Sequence, residues 1–281
     1  MDLWFTEKHT KSSGLTLKVT QTLLSAKSPY QELMIIDTPD YGRVMLLDGL
    51  VMLTERDEFV YHEMLAHPSL YSHPNPEKVL IIGGGDGGTL REVVKHSAVK
   101  RAVLVEIDKM VMAASKEFFP HVASGFNSSK AEVIITDGIA YVNETEEKFD
   151  LILIDSTDPI GPAEGLFHID FYRACHKVLN DDGILTTQSE TPFIKHFAEV
   201  IPTVMKDFKY LFPLSKLYLA NIPTYPSGLW SFSMGSKKYD PEENFQQERY
   251  NSDALSLSYY NDRIHQGAFC LPNFVKKLIE E

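Results

Sequence analysis

The stretch "KVLIIGGGDGGTLREV" covers residues 78–93 and decides the fold class. An apolar run ends at Gly83, a glycine-rich loop follows, and a helical pattern starts after Gly88. The loop fits the pattern G-x-G-x-x-G through Gly83, Gly85 and Gly88. Such a loop lets the backbone approach a nucleotide or nucleoside at the carboxyl end of a parallel strand. The stretch therefore predicts a Rossmann-like α/β fold with a ligand crevice beside the loop.

The rest of the chain after residue 78 repeats the alternation of short β runs and helical segments. The further runs are "RAVLVEID" (101–108), "AEVIITD" (131–137), "FDLILID" (149–155) and "GILTTQ" (183–188). Near-continuous apolar strands separated by helices indicate a parallel sheet covered on both faces, which is a doubly wound domain. Residues 216–237 read as a strand, a proline-rich loop and a strand, which predicts an antiparallel end to the sheet.

The chain before residue 55 has a different character. From Leu15 to Thr54 it is rich in β-formers and turn residues, and Asp48-Gly49 between two apolar runs is a hairpin signal, so a small antiparallel β region is expected. A helical pattern then runs over residues 55–73 and ends before Pro74 and Pro76. We expect an N-terminal β domain over residues 1–55 and a Rossmann-like domain over residues 56–281.

The composition narrows the classes of partner. The chain has 281 residues, 43% of them hydrophobic, a net charge of -12 and a pI near 5.3. This charge argues against a nucleic-acid backbone or an anionic membrane as partner and fits small cationic ligands, although simple solubility explains it equally well.

Neither disulfides, a zinc site nor export is expected. Cys175 and Cys270 have no paired spacing and read as free thiols. In "YHEMLAH", His62 and His67 are five positions apart and point about 140° away from each other on a helix, unlike the pair of a zinc protease. No signal peptide or membrane span is recognisable, which predicts a cytoplasmic protein.

Carboxylates follow the predicted strands where a ligand would bind. Glu106 ends the second strand, where it can accept hydrogen bonds from ribose hydroxyls, and this fits both a dinucleotide and an S-adenosyl compound. Asp137-Gly138 ends the third strand, where a carboxylate can accept from an adenine amino group. A dehydrogenase would also need a Tyr with a Lys, or a His with an Asp, at suitable spacing. No such spacing is present, which favours the S-adenosyl ligand.

The fourth strand ends in "LILIDSTDP", which puts Asp155 and Asp158 at the same edge of the sheet. A turn fixed by Asp155 and the following proline is the simplest explanation. Together with Asp86, Glu106 and Asp137, however, these acids form a cluster that is costly unless cationic ligands or hydrogen bonds compensate it. The sequence thus predicts a cationic reaction partner.

The chain resembles the polyamine aminopropyltransferase family over nearly its whole length. The shared blocks are "LWFTE", "YQELMI", "YGRVMLLDG", "ERDEFVYHEM", "VLIIGGGDGG", "LVEID", "DSTDPIGPAEGLF", "IPTYPSG" and "YYNDRIHQGAFCLP". The resemblance implies a methyltransferase-type Rossmann-like domain, a small N-terminal β domain that also contributes to the substrate site, and assembly into dimers or tetramers through that domain.

The resemblance also implies the roles of individual residues. Asp155 would accept the proton, while Asp158 and Tyr61 would hold the diamine. The positions that would bind the S-adenosyl compound are Gln31, Glu106, Asp137, Gly138 and Pro162. The wall around the aminopropyl and diamine chains would consist of His62, Asp86, Gln188 and Tyr225. Glu190 falls at a position that varies within the family, and its role at the distal amine is left open.

The implied reaction is transfer of an aminopropyl group from decarboxylated S-adenosylmethionine to putrescine, giving spermidine and 5'-methylthioadenosine. A diamine has an ammonium pKa of about 10.4, so it must lose a proton before it attacks carbon, and Asp155 supplies the acceptor. No cofactor or metal is expected, since the nucleoside is a co-substrate. Two alternatives remain open: a small-molecule methyltransferase that uses S-adenosylmethionine, and a non-catalytic polyamine-binding protein.

Overall fold

The fold is taken from a computed structural model that describes residues 2–159 and 161–280, without the side chains of residues 161 and 162. The N-terminal part consists of two antiparallel sheets. The first pairs β1 (Leu3–Lys8) with β2 (Gly14–Val19). The second has four strands in chain order: β3 (Gln21–Lys27), β4 (Glu32–Thr38), β5 (Gly42–Leu47) and β6 (Leu50–Thr54).

The hairpin predicted at Asp48-Gly49 is confirmed. The two residues join β5 to β6 and have φ values of +49° and +80°. A two-residue turn with both φ values positive matches the right-handed twist of the flanking strands, and glycine adopts it without steric cost. The sequence did not predict β1 as a strand, because the run of β-formers was taken to begin at Leu15.

The helix α1 (Glu58–Ser72) connects the N-terminal strands to the large sheet and is buried along almost its whole length. It contains Pro68, which has no N–H to donate to the Met64 carbonyl one turn earlier. The Tyr218 hydroxyl donates to that carbonyl at 2.8 Å instead. The proline is therefore tolerated, because a side chain from the sheet replaces the missing backbone hydrogen bond.

The large sheet has seven strands, and its order shows the predicted doubly wound topology with an antiparallel end. The strands are β7 (Lys78–Gly83), β8 (Arg101–Glu106), β9 (Ala131–Ile135), β10 (Phe149–Asp155), β11 (Leu179–Gln188), β12 (Leu214–Asn221) and β13 (Leu229–Ser236). Their order is β12-β13-β11-β10-β7-β8-β9, with β7 to β11 parallel to one another and β13 antiparallel to both neighbours.

Helices cover both faces of this sheet. They are α2 (Gly88–Lys95), α3 (Lys109–Phe118), α4 (Gly138–Glu144), α5 (Ile169–Val178), α6 (Lys195–Ala198), α7 (Val200–Leu211), α8 (Gln247–Asp253), α9 (Asp262–Ala268) and α10 (Asn273–Glu280). Alternate residues of the central strands enter two cores. Ile81 and Leu153 pack with α1 and α2, whereas Leu80 and Ile152 pack with α4, α5 and α7. The fold class predicted from the apolar runs is thus confirmed.

The chain winds from β7 to β8 and β9 on one side, and from β10 to β11 on the other, so β7 and β10 are the strands between which the order reverses. Open α/β sheets bind ligands in the crevice at this point. Both cysteines are free, Cys175 in the core and Cys270 at the surface. Among the helices of the described ranges, none has the length and apolar character needed to cross a membrane.

Candidate active site

The glycine loop and the end of β10 are fitted to each other at the crevice. Asp155 lies opposite Gly83 in the sheet register, and the Gly84 N–H donates to the Asp155 carbonyl at 2.8 Å. Gly83 and Gly84 have φ values of +80° and +69°. A Cβ at Gly83 would stand 2.1 Å from the Asp155 carbonyl oxygen, and one at Gly84 would stand 2.7 Å from Asp155 Oδ2. Glycine is therefore required by both the backbone and the neighbouring acid.

The Asp155 carboxylate is held at the centre of the site. The Thr89 hydroxyl of α2 donates to Oδ2 of Asp155 at 2.6 Å. Burial, followed by the charge of Asp86, raises the pKa of Asp155 to about 6, against the opposing effects of His62, Thr89 and Tyr61. Asp155 is thus mostly ionised at neutral pH, with a proton affinity well above that of an exposed aspartate.

Asp86, in the glycine loop, is paired with His62 of α1. Its Oδ1 accepts from the Gly88 N–H at 2.6 Å and lies 3.2 Å from His62 Nε2. Burial alone would raise the pKa of Asp86, but the charge and hydrogen bond of His62 lower it. The other ring nitrogen, Nδ1, is 2.5 Å from Oε2 of Glu58.

Ligand atoms of His62, Asp86 and Asp155 lie within 4.8 Å of one another, which is a spacing that could hold a metal ion. Both nitrogens of His62, however, face carboxylates, so the ring carries two protons and has no lone pair for a metal. The two aspartates fit an organic cation better than a metal ion.

A second such group lies at the opposite, amino ends of the strands and consists of His73, Asp150 and Asp182. His73 Nδ1 accepts the backbone N–H of Asn75 at 3.2 Å, which leaves the ring proton on Nε2, the nitrogen nearest to Asp182. This group is therefore a poor metal site too.

The end of β8 forms another wall of the crevice. Glu106 Oε1 accepts from the Asp108 N–H at 2.7 Å, and burial raises the Glu106 pKa to about 7. Asp108 caps α3 and accepts from Gln31 Nε2 at 3.0 Å. Gln31 of the N-terminal part is thereby fixed next to the strand end, as its predicted role requires.

Gln31, Asp86, Glu106 and Asp155 line one cleft that is open to solvent. Apolar side chains from the N-terminal sheet and from the segment after β10 form its remaining walls. The lining consists of Tyr30, Gln31, Met45, Leu47, Met52, Gly83, Gly84, Gly85, Asp86, Glu106, Ile107, Val111, Asp155, Ser156, Thr157, Ala163 and Leu166.

A second acidic group lies around Asp158, separate from Asp86. The carboxyl groups of Asp158 and Glu190 lie close enough to interact, and burial together with the Asp158 charge raises the pKa of Glu190 well above its usual range. In the part of the chain that the structure describes, Oε2 of Glu190 receives no hydrogen bond from an N–H or hydroxyl donor. Gln188 Oε1 accepts the Glu190 N–H at 3.0 Å, and Glu190 itself has a φ of +72°.

Glu7 of β1 joins this second group, and sequence reasoning missed it. It is 4% exposed, accepts the Val51 N–H at 2.9 Å and lies 3.2 Å from His9 Nε2. Burial, with a further contribution from the Asp158 charge, raises the pKa of Glu7 to about 7. A single glutamate in an unpredicted strand gave no signal, because the contact joins residues far apart in sequence.

An aromatic wall flanks Asp155. The ring centroids of Tyr61 and Tyr225 are 5.6 Å apart, and those of Tyr61 and Phe232 are also 5.6 Å apart. The Tyr225 hydroxyl donates to the Met52 carbonyl at 2.8 Å. The pKa of Tyr61 is raised well above its usual value by burial and by the Asp155 charge, so its hydroxyl is a neutral hydrogen-bond donor.

The loop that carries Tyr225 is fixed to the start of α1. The N–H and hydroxyl of Thr224 both donate to Oδ2 of Asp57, at 3.0 and 2.7 Å, and Thr54 donates to the other oxygen at 2.6 Å. This contact also explains why α1 begins at Glu58 rather than at residue 55, where the sequence pattern starts.

Of the predicted site residues, Gln31, Asp86, Glu106 and Asp155 line the cleft. Tyr61, His62 and Tyr225 lie next to these acids, and Asp158 and Gln188 lie near Glu190. The other three predicted residues are Asp137, Gly138 and Pro162. Asp137 is exposed, caps α4 by accepting the Ile139 N–H at 2.7 Å, and does not line the cleft; Gly138 does not line it either. The side chain of Pro162 lies outside the described part of the chain. The predicted roles of these three residues toward an adenine ring stay predictions.

A doubly wound sheet with an acidic cleft at its switch point is typical of an α/β enzyme that acts on a small molecule. Residues 58–247 match the family model described as "Spermine/spermidine synthase domain", and residues 3–55 match "Spermidine synthase tetramerisation domain". The chain belongs to the spermine/spermidine synthase family and is a transferase. The second match agrees with the expected homo-oligomer.

Curated relatives and solved structures agree with the family. Two curated relatives are named polyamine aminopropyltransferase. The protein from Thermoanaerobacter sp. (strain X514) is 50% identical to this chain, and the one from Bacillus cereus (strain ATCC 10987 / NRS 248) is 48% identical, with this chain and each relative covered over their whole length. A spermidine synthase solved with the transition-state analogue AdoDATO has a TM-score of 0.95 at 43% identity, covering 99% of this chain and 95% of that one. The Thermotoga maritima spermidine synthase has a TM-score of 0.92 at 42% identity, covering 99% and 94%.

Proposed function

We propose that this transferase is a spermidine synthase, which moves the aminopropyl group of decarboxylated S-adenosylmethionine to putrescine. The observation that carries the proposal is the division of the acids into two groups with Asp155 in the first. Asp86 and Asp155 meet at the glycine loop, whereas Asp158 and Glu190 pair elsewhere. One group suits the donor's cations, and the other suits the far ammonium of a diamine.

The donor lies, in this proposal, with its ribose hydroxyls at Glu106 and its adenine toward Asp137, Gly138 and Pro162, while Gln31 closes the cleft. Its sulfonium and primary ammonium then face Asp86. An ordinary methyl donor carries an α-carboxylate at this end, which two aspartates would repel. The charge of the site therefore favours the decarboxylated compound.

Asp155 starts the reaction by accepting a proton from the acceptor's near ammonium. The amine nitrogen then attacks the methylene bonded to sulfur, the N–C bond forms as the C–S bond breaks, and the bonding pair leaves with sulfur as neutral 5'-methylthioadenosine. Tyr61 and Tyr225 hold the amine in line with that bond. Orientation of this kind contributes roughly 7 to 11 kcal/mol, and proton acceptance contributes about 10²- to 10⁴-fold. The sulfonium carries its own leaving group, so we propose that no cofactor or metal takes part.

The far ammonium of the acceptor binds the second acidic group. Among the described residues, Oε2 of the buried Glu190 receives no hydrogen bond from a protein donor and can accept from a cation, with the carboxylates of Asp158 and Glu7 nearby. Putrescine has two ammonium ends and fits a site with acids at both ends.

The assay that tests the function supplies each nucleoside with putrescine and quantifies the products by chromatography. We expect spermidine and 5'-methylthioadenosine in equal amounts from decarboxylated S-adenosylmethionine. Formation of S-adenosylhomocysteine from S-adenosylmethionine would mean a methyltransferase, and polyamine binding without turnover would mean a non-catalytic binding protein. The cytoplasmic location stays a prediction.

The choice of acceptor is tested by comparing kcat/KM for putrescine, butylamine, cadaverine and spermidine. Butylamine has a methyl group in place of the far ammonium and leaves the buried acids unpaired, at about 1 to 3 kcal/mol, so we expect at least about a tenfold lower value than for putrescine. If butylamine equals putrescine, or spermidine exceeds it, the acceptor is not putrescine.

A further inference from the structure

Glu58, at the start of α1, makes contacts that the proposed reaction does not use. It is 6% exposed, and its Oε2 lies 2.5 Å from His62 Nδ1. The guanidinium of Arg91 on α2 donates to both of its oxygens, at 2.8 and 2.9 Å. A two-point ion pair of this kind fixes the plane of the carboxylate and its direction toward the histidine.

Arg91 is itself held in place. Its Nε donates to Oε1 of Glu92 at 2.7 Å, so all three guanidinium nitrogens point at carboxylates. Glu92 is fully buried and also lies 3.1 Å from His67 Nε2. The pair of Glu58 and Arg91 therefore joins α1 to α2 by contacts that leave little freedom of rotation.

His62 is closely packed between two carboxylates. A Cβ at Gly88 would stand 2.2 Å from the ring carbon Cε1, so the ring fits only against a glycine. Its charged and titratable neighbours are Glu58 and Tyr61 on α1, Asp86 in the glycine loop and Asp155 on β10.

Two further groups that can carry a positive charge lie next to Glu58. They are Arg91 on α2 and His121, whose Nε2 is 4.0 Å from Oε1 of Glu58. Burial alone would lower the pKa of His62, but Asp86 and then Glu58 raise it well above its usual range. For Glu58, burial would raise the pKa, but His62 and then Arg91 lower it to about 2.

We propose that Glu58 and Arg91 are positioning residues of the donor site, which hold the His62 ring and through it aim the Asp86 carboxylate at the primary ammonium of the aminopropyl chain. This inference rests on the proposed function, because it concerns how the donor's aminopropyl end is recognised. Neither Glu58 nor Arg91 lines the cleft. Their effect on the donor must therefore pass through His62.

The test compares two ligands that differ by the aminopropyl group. Decarboxylated S-adenosylmethionine has the ammonium that Asp86 would bind, and 5'-methylthioadenosine lacks it. In the Glu58→Gln variant we expect the first to bind at least about tenfold more weakly and the second to bind within about twofold of the wild type, by calorimetric titration. Equal weakening of both ligands, or of neither, would overturn the proposal.

Glu63→Gln is the matched control. Glu63 is a buried carboxylate on the same helix, but its oxygens accept the backbone N–H groups of Ser258, Tyr259 and Tyr260 at 2.7 to 2.9 Å, not a proton from the His62 ring. Its replacement perturbs α1 without touching the donor site. We expect the ratio of the two ligand affinities to stay at the wild-type value, and a change as large as that of Glu58→Gln would contradict the proposal.

A second measurement separates positioning from general damage. In a His62→Gln background, the further change Glu58→Gln should have no effect on the affinity ratio, because the residue through which it acts is gone. In Glu58→Gln alone, the His62 pKa falls toward its usual range, so donor affinity divided by that of the wild type at the same pH should decline from pH 6 to pH 8. Division by the wild-type value removes the titrations of Asp155 and Glu106, which both proteins share. A full penalty in the double variant, or parallel pH profiles, would overturn the proposal.

These outcomes are distinguishable from failure of the proposed function. If the wild-type protein forms no 5'-methylthioadenosine from the decarboxylated donor, the function itself is wrong. If the wild type turns over and Glu58→Gln matches it in both affinities, only the positioning role is wrong.

Discussion

The carboxylate of Asp155 must be ionised before reaction and yet attract a proton strongly. Its pKa of about 6 satisfies both conditions, since a group that titrates near the working pH is the most effective proton acceptor. An exposed aspartate with a pKa near 4 would be a weaker base. The environment that makes the difference is burial together with the neighbouring charge of Asp86, and both follow from the meeting of β10 with the glycine loop.

Replacing Asp155 by Asn should therefore remove the proton acceptor and leave the site's shape intact. The amide oxygen can still accept from the Thr89 hydroxyl. We expect kcat to fall at least about 10²-fold while 5'-methylthioadenosine binds as before. Steady-state kinetics and titration of the product measure the two quantities, and near-normal turnover would rule out Asp155 as the base.

The pH dependence of kcat/KM for the donor, measured with both substrates dilute, reports the groups of the free protein. Asp155 cannot accept a proton when it already carries one, so kcat/KM should fall as the pH drops through about 6. Asp86→Asn removes a charge that raises this pKa. The Asp86→Asn change also weakens donor binding, but the pH below which kcat/KM falls should still shift to a lower value. If that pH is unchanged in the variant, the Asp86 charge does not act on Asp155.

At the scale of elements, the glycine loop and β10 position the base together. Gly84→Ala would put a Cβ 2.7 Å from Asp155 Oδ2 in a backbone conformation of φ +69°. We expect a stability loss of roughly 1 to 2 kcal/mol from the backbone and a loss of kcat comparable to that of Asp155→Asn, because the carboxylate must move.

The control for this variant is Gly267→Ala on α9. No atom lies within 4 Å of the added Cβ, so alanine should stabilise the helix by about 0.5 to 1 kcal/mol without changing kcat. Thermal unfolding and turnover of both variants give the comparison. Wild-type kcat in Gly84→Ala would mean that the loop does not position Asp155.

The sequence predicted the large sheet and its strand ends because parallel strands buried on both faces appear as apolar runs, and because loop residues such as Gly83 and Asp155 follow those runs directly. Asp86, Glu106 and Asp155 in the cleft were singled out by the same pattern and Gln31 by the resemblance, whereas the apolar side chains of the cleft, such as Met45 and Leu166, were not predicted. The strand β1 escaped prediction, since Leu3 and Trp4 are exposed and the buried residue of the strand is an acid, Glu7. A polar residue buried against a distant part of the chain leaves no periodic signal.

The sequence also did not predict that the acids divide into two groups. Asp155 and Asp158 are three residues apart, and the sequence placed them in one crevice. In the fold Asp158 lies near Glu190, which follows the end of the next strand, β11. Which acid meets which depends on the path of the loop after β10.

At the scale of the whole molecule, the N-terminal part serves both the cleft and the assembly. Gln31, Met45 and Met52 line the cleft, and the same segment is the family's tetramerisation domain. Its strand β1 exposes Leu3 and Trp4, at 59% and 54%. Leu3 and Trp4 project from opposite faces of β1, and in a segment that assembles we expect such exposed apolar side chains to be covered by a neighbouring subunit.

The double change Leu3→Ser with Trp4→Ser should therefore shift the protein to smaller assemblies, because it removes apolar area from that interface. Sedimentation at several protein concentrations measures the shift. Tyr210→Ser on α7 is the control, since Tyr210 is 73% exposed but lies in the catalytic part. An unchanged mass in the double variant, or an equal shift in the control, would place the interface elsewhere.

Glu190 has a consequence for anyone who wishes to make this protein more heat-resistant. Its left-handed backbone and its buried carboxyl group both weaken the fold, so a search for stabilising substitutions would select Gly or Asn at this position. The same substitution would remove an acid from the end of the cleft that we assign to the acceptor. At this residue, thermal resistance and recognition of the amine are traded against each other, and an engineered variant should keep the glutamate and seek its gains elsewhere.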